Sequence, residues 1–148
     1  MKKITSDLLR RRGACMQQIY LFIELGGDRL ALTEELCIKH ANQFAWDWAA
    51  DNLLTRKART YYKRIIEPAL AKYEHAVQAA AAEYENTLQK ALAKDVPTVE
   101  VEAWGEVDAL VEYRRVQKPA WAQYKRACAS AFYRAWTMHR SEVAEIVA

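Results

Sequence analysis

The chain has 148 residues, only four glycines and three prolines, 28% charged residues and a formal net charge of +3. This length suits one domain with a modest core. The scarcity of turn formers beside abundant Ala, Leu, Glu, Lys and Arg favours helices over a sandwich, a barrel or a disordered tail.

The first residues, MKKITSDLLRRRG, carry lysines but not the apolar run of a signal peptide, and the longest apolar stretch, around IYLFIEL, is too short to cross a bilayer. Three widely spaced cysteines, Cys15, Cys37 and Cys128, have neither zinc-knuckle nor CxxC redox spacing. Reduced thiols in a soluble, cytoplasmic protein are therefore expected.

Thr5, Ser6 and Asp7 offer N-caps for a short helix that ends near Gly13, where glycine supplies the left-handed stop. Ala14 to Leu25 predicts an apolar helix closed by Gly26-Gly27. Thr33-Glu34-Glu35 opens another, with a capping hydroxyl and acids in the positive first turn. FAWDWAADNLL, Phe44 to Leu54, supplies the densest aromatic anchor. Residues 1–55 thus read as a bundle of three or four short helices, too small to be stable alone.

From residue 56 the chain repeats with a period of eleven. Ala58, Ala69, Ala80 and Ala91 form one column, and Tyr62, Tyr73 and Tyr84 another; Ala109, Ala120 and Ala131 with Tyr113 and Tyr124 continue them. Eleven residues make three helical turns, so each column stays on one side of a long helix. Small alanines admit a neighbouring helix and tyrosine rings fill the gaps. The prediction is all-α: residues 56–148 form a long antiparallel helical hairpin docked on the bundle as one unit, turning near 95–106, where Pro97, Thr98, Val99, Val101 and Gly105 are poor helix formers. Pro68 and Pro119 occupy equivalent repeat positions. Each marks a kink or a break and restart; the register of the columns through both favours kinks.

Charge placement supplies the candidate site. No acidic residue occurs from Tyr113 to Arg140, a span that holds Arg114, Arg115, Lys118, Lys125, Arg126, Arg134 and Arg140. At 100° per residue, Arg114, Lys118 and Lys125 share a stripe with Trp121, Phe132 and Trp136, away from the Ala and Tyr seam. Cations neutralise phosphates and indoles stack on bases, while Arg and Trp also dominate protein–protein contacts. The candidate partner-binding residues are Arg114, Arg115, Lys118, Trp121, Lys125, Arg126 and Trp136, with Lys57, Arg59, Lys63 and Arg64 as an extension. Alternatively, the tryptophans pack against the N-terminal bundle and the lysines form a solvated rim.

Other constellations are weak. Cys37 and His40 stand one helical turn apart, but His75, His139, Cys15 and Cys128 give no second half for a zinc site. Cys37 as a nucleophile lacks an orienting group beyond His40. Glu34, Glu35, Glu83 and Glu85 have ordinary surface spacing, and Gly26-Gly27 lacks the strand and lysine of a phosphate loop. No enzyme activity, cofactor or metal is expected.

TEELCIKHANQFAWDWAADNLL followed by tandem A-x-A-x-Y-[EK]-[RH] units resembles a group of small bacteriophage and prophage proteins. In these, a TEELC…WDWAA..LL segment precedes a variable number of APAWAEYERV-like repeats. The likeness runs from about Asp7 to Ala135. It departs from the pattern where the repeats degenerate after Tyr84 and where Val96 to Glu106 splits the array. The resemblance implies a phage protein in the bacterial cytoplasm that binds a host machine. An inhibitor of CRISPR-Cas or another defence complex is the leading expectation, and the positive net charge argues against an acidic DNA mimic. Two alternatives stand beside it: a nucleic-acid-binding accessory protein using the basic aromatic face, and a helical scaffold or virion component, with the chain a monomer or a homodimer.

Overall fold

Helix formers dominate this chain and helices dominate its fold: in the computed structural model the order is β1 (Lys3–Thr5), α1 (Ser6–Arg11), α2 (Met16–Gly26), β2 (Arg29–Ala31), α3 (Glu34–Lys39), α4 (Trp46–Leu53), α5 (Arg56–Ala93) and α6 (Val99–Val147). The structure describes residues 3–93 and 99–147, and side chains over 3–93 and 108–138. The fold is all-α apart from one short antiparallel ladder, which pairs Lys3 with Ala31, Ile4 with Leu30 and Thr5 with Arg29.

The expected caps close the N-terminal helices. Thr5 Oγ1 accepts from the Leu8 amide and Thr33 Oγ1 from the Leu36 amide, each at 3.1 Å. Such a cap contributes about 1 kcal/mol. Gly13 takes φ +80° after α1, as the sequence predicts, and Gly27 takes φ +73° after α2. The β1–β2 ladder was not predicted. Asp28 ties it to α1, since its carbonyl accepts from the Ser6 amide at 3.0 Å and its carboxylate from the Ser6 hydroxyl at 3.1 Å.

The chain divides into two compact units: unit 1 comprises Met1–Glu67 with Lys125–Ala148, and unit 2 is Pro68–Tyr124. The boundary expected near residue 55 falls inside unit 1, because the start of α5 and the second half of α6 pack with the short helices. In unit 1 the core joins Ile19, Phe22, Cys37, Trp46, Tyr62, Phe132 and Trp136, all buried. Phe132 stacks on Trp136 and leans against Trp46, with ring centroids 6.1 and 5.6 Å apart. The Trp46 indole N–H donates to the Ala41 carbonyl at 2.8 Å, so its one polar atom is satisfied. An apolar cavity of about 70 Å³ lies among Leu9, Phe22, Leu36, Trp48 and Leu53.

Unit 2 is a pair of antiparallel helical segments meeting along the predicted columns. Tyr73 stacks on Tyr124 at 5.6 Å and Tyr84 packs on Tyr113 at 6.1 Å, so the partner number falls as the first rises. Ala80 and Ala109 are buried between the segments.

Two expectations need correction. Helices α5 and α6 run unbroken through Pro68 and Pro119, which removes the break-and-restart alternative. The non-helical turn expected over 95–106 is also shortened, since α6 begins at Val99. The β-branched residues at 99 and 101 cost only a few tenths of a kcal/mol each in a helix, which the neighbouring good helix formers Glu and Ala offset. Residues 94–98 lie outside the described residues.

Candidate interaction surface

The predicted stripe of α6 meets two different environments. In unit 2, Arg114 and Lys118 are exposed and Trp121 is 44% exposed. The indole stands edge-on to Tyr73 with centroids 5.3 Å apart, and Tyr124 lies 5.6 Å away. Trp121 thus packs on two tyrosine rings and still keeps part of its surface exposed. Tyr73, Gln117, Lys118 and Trp121 line a shallow depression there. Arg114 and Lys118 form no ion pair among the described residues, whereas Arg115 turns to Glu112 at 3.3 Å. The other flank of unit 2 has the opposite character: Glu83, Asp108 and Glu112 line an open cleft floored by Ala76, Ala79 and Ala80.

In unit 1 the same stripe is covered. Trp136 is 3% exposed, so its assignment as a partner-binding residue is withdrawn; Phe132, on the same stripe, is buried with it. Lys125 is committed as well, its ammonium donating to the Phe44 carbonyl at 2.6 Å. Burial pulls the Lys125 pKa down, while Cys128 and the Asp47 carboxylate act in the opposite direction. Arg126 remains exposed. Segment 44–47 meets two positions of the stripe, Phe132 through Trp46 and Lys125 through the Phe44 carbonyl; projection along one helix carries no information about what another segment covers. Of the alternative reading, the packing of tryptophans holds for the buried Trp136 and not for Trp121, 44% exposed, while the solvated rim does not hold for Lys125.

The basic extension on α5 is also partly spent. Arg59 and Lys63 both approach Asp51, at 3.7 and 3.8 Å.

A polar cluster in unit 1 has no counterpart in the sequence reading. Tyr62, 1% exposed, donates its phenol to Asp47 at 2.9 Å. Burial raises the Tyr62 pKa first, with Cys128 and Asp47 adding to it, so the proton stays on the phenol. Glu34 accepts from the Ser130 hydroxyl at 2.5 Å and pairs with Arg134 at 3.5 Å.

Cys37 is 2% exposed, and its thiol is pushed up to about 12 by burial, reinforced by Glu34. A thiol in that state is a poor nucleophile and a poor metal ligand at neutral pH. The His40 ring is engaged with Gln43 Oε1 at 2.7 Å. Among the described residues, no group of three or more His, Cys, Asp or Glu is placed to hold a metal ion, and no helix is long and apolar enough to cross a membrane.

No protein-family model, curated protein or solved structure matches the chain.

Proposed function

We propose that this chain is a phage-encoded, non-enzymatic binding protein that acts by protein–protein contact on a host defence complex of the CRISPR-Cas type, through Arg114, Lys118 and Trp121 of unit 2. The observation that carries the reading is the half-exposed Trp121 on one helical stripe with Arg114 and Lys118, two exposed cations that form no ion pair among the described residues. Large exposed apolar side chains mark interaction sites, and Trp121 is one of them in unit 2, beside Lys118 in the same depression. Arg and Trp are the residue types that most often anchor interfaces. The phage context and the class of target rest on the sequence resemblance.

The test is co-elution of the purified protein with purified host effector complexes, using the wild type and an Arg114→Glu/Lys118→Glu variant. Association weakened tenfold or more in the variant supports the reading; equal association of both, or none with any complex, overturns it. A second reading, direct nucleic-acid binding, draws on the same indole and two cations. It requires a mobility shift with DNA or RNA that weakens about tenfold or more between 50 and 200 mM salt.

A further inference from the structure

The stripe that carries Arg114, Lys118 and Trp121 in unit 2 also carries Lys125, Phe132 and Trp136 in unit 1, where the chain itself provides the cover. That cover has a definite chemistry. It is the segment Phe44-Ala45-Trp46-Asp47 at the start of α4. Trp46 lies against Phe132, the Phe44 carbonyl accepts from Lys125, and the Asp47 carboxylate favours the lysine's charge. Phe44 packs edge-on against Trp46 with centroids 5.9 Å apart. An aromatic side chain and a backbone carbonyl at a helix start thus meet an aromatic and a lysine of this stripe, with a carboxylate nearby. The exposed positions in unit 2 repeat the same types: two cations and, on the same stripe, an indole that is 44% exposed.

We infer that the partner of unit 2 covers Arg114, Lys118 and Trp121 with an acidic, aromatic-bearing helical protein segment, of the chemistry that residues 44–47 present to the continuation of the stripe. This rests on the proposed binding role of that surface and specifies what the partner offers. The carboxylates neutralise Arg114 and Lys118, where hydrogen bonds between ionised groups are strongest. The partner's aromatic side chain packs on the outward part of the Trp121 ring beside Tyr73, in the offset or edge-on geometry that aromatic pairs prefer. The acidic cleft on the opposite flank, with Glu83, Asp108 and Glu112, repels such a segment, so only one flank of unit 2 accepts it.

Three probes test this on the full-length protein. One is a synthetic amphipathic helical peptide with tryptophans on one face and glutamates beside them. The second is the same peptide with lysines at the glutamate positions, and the third is oligothymidylate. Binding is followed by the two-dimensional amide and indole spectra of the protein. The glutamate peptide is expected to shift the signals of Arg114, Lys118 and Trp121, and Arg114→Glu/Lys118→Glu should weaken it at least tenfold. Trp121→Phe, which keeps a ring against Tyr73 and Tyr124, should weaken it severalfold. Circular dichroism confirms that the variants remain helical. Equal binding of the lysine peptide, binding of the glutamate peptide unchanged by the double substitution, or no binding of it at all overturns the inference. So does oligothymidylate binding that the double substitution abolishes, since the stripe would then serve nucleic acid. If the glutamate peptide fails while a host complex still depends on Arg114 and Lys118, the binding role stands and only the partner's chemistry is wrong.

Discussion

Trp121 and Trp136 lie on one stripe of α6, yet the first is 44% exposed and the second 3%. Truncating the buried indole removes its contacts with Phe132 and leaves a cavity, which for aromatic side chains costs about 3–5 kcal/mol. Truncating the half-exposed one loses its edge-on contact with Tyr73 and part of its burial, about 1–2 kcal/mol. Urea denaturation of Trp136→Ala and Trp121→Ala should therefore separate by at least about 1 kcal/mol. Equal losses would contradict the burial of Trp136.

Tyr62→Phe removes the donor to Asp47 and leaves a carboxylate short of one partner. A hydrogen bond to a charged group contributes about 1.5–3 kcal/mol, so a loss in that range is expected from chemical denaturation at pH 7. A loss below about 0.5 kcal/mol would place the Asp47 carboxylate in water.

Alkaline pH should weaken the fold before it weakens ordinary helices. The Cys37 thiol rises from 9.0 to about 12, and Tyr62 is shifted upward from 10.0. Both groups are neutral when protonated. Above their ordinary values the unfolded chain loses these protons while the folded chain keeps them, so stability is fully present below pH 9 and falls as pH rises. Each group contributes a slope of at most about 1.4 kcal/mol per pH unit. The urea midpoint measured from pH 8 to 10.5 should fall, and Cys37→Ala should flatten the part that begins near pH 9.

Thiol chemistry offers an independent check. Cys15 is exposed, whereas Cys37 and Cys128 are buried. Iodoacetamide at pH 8 should modify Cys15 alone in the folded protein and all three in urea, read by mass spectrometry. Early labelling of Cys37 without denaturant would show that the unit 1 core opens readily.

The elements announced themselves where a local chemical rule applied. Thr5 and Thr33 are caps by side-chain type, Gly13 is a stop by its tolerance of positive φ, and the Ala and Tyr columns are legible because three turns bring like residues back to one side. Lys3–Thr5 and Arg29–Ala31 escaped notice because three residues are too few to display an alternating period. Trp136 and Lys125 were misplaced for another reason. Helical periodicity fixes which positions share a side, but their surroundings depend on segments distant in the chain, such as 44–47, about eighty residues away, which meets α6 through a lysine–carbonyl bond and an aromatic contact. Trp121, beyond that cover, stayed where the stripe put it.

The described residues buried in unit 2 are few, namely Ala80, Ala109 and Tyr124, against the long list in unit 1. Amide protons in the two units should therefore exchange with deuterium on separate clocks, those of unit 2 within the first minutes and those around Tyr62 and Phe132 only through rarer openings. A partner that clamps Trp121 would slow the faster clock and leave the slower one untouched.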